Sequence, residues 1–247
     1  MRRILSPYEI NHLRKFGIDP ETIARYGNMP VEYVAGYVEV FGRDFAVDSR
    51  VLIPRVEAEI LIKLAVKCSM SLPSSLTLAD IGTGSGVLGI TIYLELLKQK
   101  KTPTVYLSDI SAGALKITAK NILLLANGHQ KNLIIFNSNL LSSYPSNVKF
   151  DLIVANLPYI PSGRISKLSS SVRDFEPLLA LDGGPDGLTY IRKLVKQAIY
   201  FLKSTGRLIM EIDETHQLKD LTLPKEFSAE MRQDQFGKNR FIVLSKK

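Results

Sequence analysis

The amino-acid sequence predicts an α/β fold. A doubly wound, mostly parallel sheet is finished by an antiparallel strand pair and preceded by a short N-terminal helical stub and a β-hairpin. Three observations carry this. From Leu76 onward, apolar β-rich runs alternate with segments of helical periodicity, the rhythm of βαβ units. Gly82, Gly84 and Gly86 stand where the first of these runs should turn into a helix. The last two β-rich runs are joined by a short stretch containing Gly237 and Asn239, which suits a hairpin and leaves no room for a crossover.

The first stretch reads as short helices. Asp19-Pro20-Glu21, followed by Ile23 and Tyr26, supplies an N-cap, a Pro at the first helical position and an apolar face, ended by Gly27. Tyr37 to Val47 holds two β-rich runs around Gly42, a hairpin signal. Val56 to Cys68 carries Ile60, Leu61, Leu64 and Ala65 at helical spacing and is expected to pack on the sheet that follows. The Ser-rich break from Ser69 to Ser75 is not the domain boundary. The boundary is placed earlier, with residues 1–50 as an N-terminal segment and 51–247 as the main domain.

In the main domain, Leu76 to Ile81 is a strand and Val87 to Leu97 a helix entered through glycines. Val105 to Leu107 is a strand, and Ala112 to Ala126 a helix closed by Asn127-Gly128. Leu133 to Phe136 and Leu152 to Ala155 are further strands. Leu188 to Leu202 is a helix and Arg207 to Ile212 a strand. Ala229 to Arg232 and Phe241 to Leu244 form the closing hairpin.

Composition narrows the chemistry. The 247 residues are 45% apolar, enough for one substantial core. The net charge of +8 suits acidic partners such as RNA or the ribosome, and serves solubility equally well. Cys68 is the sole cysteine, so neither an internal disulfide nor a cysteine-rich metal site is expected. His12, His129 and His216 are scattered and form no metal-ligand spacing. The first residues lack a signal-peptide core, and no apolar run is long enough to cross a membrane. A cytoplasmic protein without membrane contact is the expectation.

Two motifs point to chemistry. Asp80-Ile81-Gly82-Thr83-Gly84-Ser85-Gly86 follows a strand and opens a helix, so its backbone can approach a ligand closely. Asp109, roughly 20 residues beyond the last glycine and at the tip of the next strand, is placed for ribose hydroxyls. The glycines alone leave a dinucleotide and S-adenosylmethionine both open, because Gly84, Gly86 and Gly89 also satisfy the dinucleotide spacing. The second motif, Asn156-Leu157-Pro158-Tyr159, ends an apolar strand, where ligands bind in open α/β sheets. A planar nitrogen conjugated to a carbonyl or ring is a poor nucleophile because its lone pair is delocalised. Asn156 Oδ1 and the Leu157 or Pro158 carbonyl offer acceptors for both N–H bonds of an NH₂ group, and Tyr159 offers a stacking face. Such a clamp would orient the nitrogen toward a sulfonium methyl and stabilise charge developing on it. Hydride transfer has no use for it, which favours S-adenosylmethionine and the Rossmann-like class I methyltransferase pattern of a parallel sheet closed by an antiparallel pair.

In these motifs and in further stretches, the sequence resembles the bacterial peptide-chain-release-factor glutamine methyltransferases, the HemK-type family. The likeness is carried by Pro30 to Gly36, Val51 to Glu59, the Gly82 to Gly86 loop and Asn156 to Tyr159. Phe175-Glu176-Pro177, Ala180-Leu181, Gly183-Gly184 and Asp186 to Leu188 follow in order. It covers about residues 30 to 245. The resemblance implies S-adenosyl-L-methionine contacts at Gly82, Thr83, Gly84, Ser85, Gly86 and Asp109, with Leu140 beside the adenine and Asn156 near the methyl. It implies Asn156, Leu157, Pro158 and Tyr159 as the holders of the acceptor, with Asn156, Pro158 and Tyr159 in the catalytic role. The implied partner is a peptide chain release factor, methylated on the glutamine of its Gly-Gly-Gln tripeptide. The sequence departs from the family pattern at Leu157, where Pro is usual, and at Val56, Ala58 and Leu140. The helical region before Pro30 is also shorter than the family's.

Rival readings are an adenine-N6 methyltransferase acting on RNA or DNA, a non-catalytic scaffold and, more distantly, a nicotinamide dehydrogenase. The first shares the Asn-x-Pro-Tyr chemistry and would use the basic charge. Two further expectations concern the walls of the site. Ile160 to Gly187, rich in Pro, Ser and Gly, should be a mobile or lid-like loop over the acceptor. The hairpin at Tyr37 to Val47 should form one wall of the acceptor slot, and the helical stub another.

Overall fold

The computed structural model describes residues 3–247. Helix α1, Pro7–Lys15, starts in a capping box: Glu9 N donates to Ser6 Oγ at 3.3 Å and Ser6 N to the Glu9 carboxylate at 2.8 Å. Asp19 caps a 3-10 helix over Pro20–Tyr26, as its sequence predicts. Helix α2, Val31–Ala35, ends at Gly36 in the left-handed region. Leu13, Ile23 and Val31 give these helices a small core of their own. Strands β1, Tyr37–Val40, and β2, Arg43–Ala46, then form the expected hairpin. Phe41 and Gly42 both turn it at positive φ, which matches the strands' twist. Its inward residues Val38, Val40 and Phe45 belong to the main core.

Helix α3, Glu57–Ser69, leads into the main sheet. Its first strands and helices alternate: β3 (Thr77–Ile81), α4 (Val87–Lys98), β4 (Thr104–Asp109), α5 (Ala112–Leu125), β5 (Leu133–Asn137) and β6 (Phe150–Ala155). After a long connection containing the short α6 (Ser170–Arg173) come α7 (Thr189–Phe201), β7 (Leu202–Glu211), β8 (Phe227–Gln233) and β9 (Asn239–Lys246). The order across the sheet is β5-β4-β3-β6-β7-β9-β8. The pairs from β5 to β7 are parallel, and β9 enters antiparallel to both β7 and β8. Strand order reverses between β3 and β6. A ligand crevice is expected at their carboxyl ends.

The apolar runs in the sequence follow from burial on both faces. Leu78, Leu152 and Val154 pack toward α3, α4 and α5, together with Leu61, Ile90 and Ile117. Their neighbours Ala79, Ile81, Ile153 and Ala155 face α7, which presents Ile191, Leu194, Val195 and Ala198. One sequence expectation moves. Strand β7 begins at Leu202, directly after α7, and not at Arg207. The Lys203-Ser204-Thr205-Gly206 run is polar, so the apolar signal starts later than the strand. Register slips between Phe150 and Leu152 where this stretch pairs with β6. No helix among the described residues is long and apolar enough to cross a membrane.

Candidate active site

A cavity of about 370 Å³ opens at the carboxyl ends of β3, β4 and β6, within the usual size of small-molecule sites (roughly 300–1,000 Å³). Gly82, Thr83, Gly84, Ser85, Asp109, Leu140, Asn156, Leu157 and Pro158 line it together. Residues from four separate stretches of sequence therefore meet at one place. Gly86 and Tyr159 are not among the lining residues. Gly86 instead starts α4 at φ +85, where an added Cβ would strike Ile90 and Thr118.

The glycine loop is held from behind. The amides of Gly82 and Thr83 both donate to the Ser108 carbonyl of β4 at 2.9 Å. Gly84 N donates to Asp109 Oδ2 at 3.0 Å, and Thr118 Oγ1 to the Gly84 carbonyl at 2.8 Å. No atom lies where a Gly84 side chain would go; glycine is required there by its positive φ and leaves space for a ligand. Gly89 has a different task. A Cβ there would lie 2.4 Å from Leu107, so it lets α4 press against β4, and its place in the dinucleotide spacing is explained by packing. Asp80 is fully buried, accepting from Thr83 Oγ1 at 2.6 Å and from Gly89 N at 2.9 Å. Burial pushes its carboxyl up to about 6 against the pull of these two bonds. Asp109 is likewise raised by burial, and it holds Ser111 N with its second oxygen.

The two motifs touch. Leu157 is buried, and its Cδ2 would be 2.9 Å from a Cβ on Gly82. Leucine at this position thus fills space against the bare backbone of the glycine loop. The Asn156 side chain makes no hydrogen bond among the described residues, so its acceptor and donors are available to the cavity. Tyr159 points elsewhere: its hydroxyl donates to Glu211 Oε1 at 2.8 Å, and its ring packs against the α7-side core. Leu140 sits at φ +55, an uncommon conformation for leucine, which marks a constrained position in the cavity wall.

Two chain segments close the cavity. One is Arg50, Val51, Leu52 and Pro54, immediately after the hairpin; among the described residues, neither the hairpin nor the helical stub lines the cavity. The expected wall is displaced by a few residues because β1 and β2 lie behind it, where the buried Asn121 exchanges hydrogen bonds with both backbone groups of Ala46 and donates to Ser85 O. The other segment is Pro177, Leu179 and Ala180. Glu176 ties the two together, accepting from Ile53 N at 3.2 Å and from the Arg55 guanidinium with its side chain 1% exposed. The connection from Ile160 to Gly187 is irregular, as expected, with short helical turns and lining residues. It is also pinned at both ends, by Ile160 N to Leu181 O at 3.1 Å and Gly183 N to Ile160 O at 2.9 Å. Tyr190 and Lys193 of α7, and Ser138 beside Leu140, line the cavity without any sequence signal that singles them out.

Comparison with known proteins decides the family. The Methyltransferase small domain family model matches residues 59–169, which span both motifs. The release factor glutamine methyltransferase of Clostridium acetobutylicum is 33% identical over 244 residues, covering 94% of this chain and 83% of that protein. The chain belongs to the release factor glutamine methyltransferase family. The Streptococcus pneumoniae member is 34% identical over 220 residues, covering 87% of this chain and 74% of its own. Among solved structures, the ribosomal protein L11 methylase of Lactobacillus delbrueckii subsp. bulgaricus has the same fold, with a TM-score of 0.57 at 22% identity over 85% of this chain and 90% of that one.

Behind the Asn156–Tyr159 loop lies a buried acid. Glu211, the last residue of β7, is 1% exposed, and its Oε2 has no hydrogen-bond partner among the described residues. Burial raises its carboxyl to about 7; the Tyr159 bond opposes this, Glu57 adds to it, and Arg240 and Arg55 oppose it. Tyr159 is pushed well above its ordinary range by burial and by Glu211, so its hydroxyl stays protonated and donates. Asp80 stands at the head of the glycine motif without a ligand role in its sequence, and Glu211, an acid ending an apolar strand, belongs to no motif.

Proposed function

We propose that this chain transfers a methyl group from S-adenosylmethionine to the side-chain amide nitrogen of a protein glutamine, that of the Gly-Gly-Gln tripeptide of peptide chain release factors. The observation that carries this is the meeting of the glycine loop and the Asn156–Pro158 loop in one cavity, with Leu157 lying on Gly82. The residues present fit the cofactor. Gly84 leaves backbone-lined space, Asp109 keeps lone pairs for ribose hydroxyls, and the buried Leu140 offers an apolar face for an adenine. When bound, S-adenosylmethionine supplies an electrophilic methyl on a positively charged sulfur.

The chain's own residues then do three things. Asn156 Oδ1 accepts an N–H of the acceptor amide, and a backbone carbonyl of the same loop accepts the other. This fixes the plane of the amide, so that the nitrogen lone pair perpendicular to it faces the methyl. The same acceptors stabilise the positive charge that grows on nitrogen as the N–C bond forms and the electrons of the S–C bond stay on sulfur; one N–H proton then leaves to solvent, giving the neutral N-methyl amide. The segments at 51–54 and 177–180 exclude water, which strengthens both effects. Residues 51–247 form the catalytic domain in this reading, preceded by an N-terminal segment that ends at residue 50. A cytoplasmic location, and contact of the basic surface with ribosomal RNA, go with a role in translation.

Calorimetry is expected to show binding of S-adenosylmethionine and none of comparable strength for NAD; the reverse order would refute the cofactor assignment. The acceptor is tested by mass spectrometry of a release factor and of rRNA after incubation with the chain and labelled methyl donor. Label is expected on the Gly-Gly-Gln glutamine. Label confined to adenine would establish the adenine-N6 reading instead.

A further inference from the structure

The Asn156–Tyr159 loop has a built support behind it that its motif does not explain. Strand β6 pairs with β7 in a register that sets Ala155 opposite Met210, so Glu211 stands level with Asn156 at the carboxyl end of the sheet. From there its Oε1 takes the Tyr159 hydroxyl at 2.8 Å. We propose that Glu211 is a positioning residue for methyl transfer, fixing Tyr159 and through it the acceptor-holding backbone of residues 156–159. This rests on the reading of that loop as the acceptor clamp.

The surroundings argue for a carboxylate rather than for any polar filler. A buried acid is costly unless something uses its charge. Glutamine, neutral and able to accept the same bond, would serve a purely structural role. An ionised acceptor makes a markedly stronger bond to a tyrosine hydroxyl than a neutral one. The charged groups that act on Glu211 through space are Glu57 of α3, Arg55 of the segment before α3 and Arg240 of β9, while Tyr159 of the loop is bonded to it directly. The two arginines favour its charged form and Glu57 opposes it, which leaves the carboxyl to change charge near neutrality. A glutamine amide does not titrate in this range. Asp80, which burial raises to about 6, is the other buried acid of the site that titrates near this range.

The test measures kcat on release factor against pH, together with cofactor affinity, for wild type, E211Q, E211A, Y159F and the E211A/Y159F double variant. Wild-type kcat is expected to rise through about pH 7. E211Q should keep measurable turnover, about tenfold below wild type at pH 8, with that inflection gone and any Asp80 inflection retained. E211A and Y159F should each lower kcat by roughly a hundredfold with cofactor affinity within about threefold, and the double variant should be no worse than the poorer single. An E211Q profile that keeps the wild-type inflection, losses that add in the double variant, or a loss that appears in cofactor affinity in place of kcat would overturn the proposal. Wild-type turnover is measured first. Its absence on release factor would overturn the acceptor assignment itself, whereas turnover with an unaltered E211Q profile would overturn only the role of Glu211.

Discussion

Asn156→Ala is expected to lower methyl transfer by roughly 10²–10³-fold, about 3 kcal/mol of transition-state stabilisation, while cofactor affinity stays within about tenfold. The asymmetry follows from the geometry. Asn156 lies at the cavity floor where β6 ends, and its side chain is uncommitted to the protein. Few contacts of the fold are therefore lost with it, and stability should change little. The hydrogen bond it offers grows stronger as charge develops on the acceptor nitrogen, so its loss is felt in kcat. The glycine loop, by contrast, is held by Ser108, Asp109 and Thr118, none of which depends on Asn156. Isothermal titration with S-adenosylmethionine and single-turnover methylation of a release factor separate the two effects. Wild-type turnover in the variant would remove Asn156 from the clamp.

The fold was legible because the sheet is buried on both faces. Runs such as Leu152-Ile153-Val154-Ala155 are apolar throughout only when both sides are covered, and their alternation with helical periods fixes a parallel sheet. The site was legible where backbone geometry demands a residue type. Gly82, Gly84 and Gly86 all have positive φ, and Asn156 to Pro158 end a strand at the switch point. What could not be read lies in side chains that meet only through packing. Glu211 looks like an interruption in an apolar strand until the register places it level with Asn156. Tyr190 and Lys193 are one helical turn apart on α7 and reach the cavity because α7 crosses its rim. The hairpin signal was sound, yet the wall is made by residues 50–54, because Asn121 anchors β2 behind the glycine loop. The polar start of β7 hid five residues of strand for the same kind of reason: their partners, not their composition, make them extended.

Gly187→Ala is expected to destabilise the protein by about 3 kcal/mol or more, a fall of roughly 10 °C in Tm, and to reduce turnover in the molecules that remain folded. Two costs combine. Gly187 has φ +78, a region that costs an L-residue about 1–2 kcal/mol. A Cβ there would also lie 2.2 Å from the Tyr159 carbonyl oxygen and 3.1 Å from the His216 ring. The first of these is backbone, so it cannot be relieved by a rotamer change. Gly183 is pressed in the same way against the Pro158 carbonyl, at 2.6 Å. The Gly183–Gly187 turn therefore lies directly on the backbone of the acceptor-holding loop, and moving one moves the other. Gly163, in the same connection, has no atom within 4 Å of its Cβ position and an ordinary φ. Gly163→Ala is the control and should change stability by no more than about 0.5 kcal/mol. Thermal unfolding gives the stability of each variant. Turnover and cofactor affinity are then compared at a temperature where both variants are folded. Gly187→Ala should bind S-adenosylmethionine nearly as wild type does and transfer methyl at least tenfold more slowly, because its damage falls on Tyr159 and Pro158 and spares the glycine loop. A variant as stable and as active as Gly163→Ala would show that the turn can yield without disturbing the clamp.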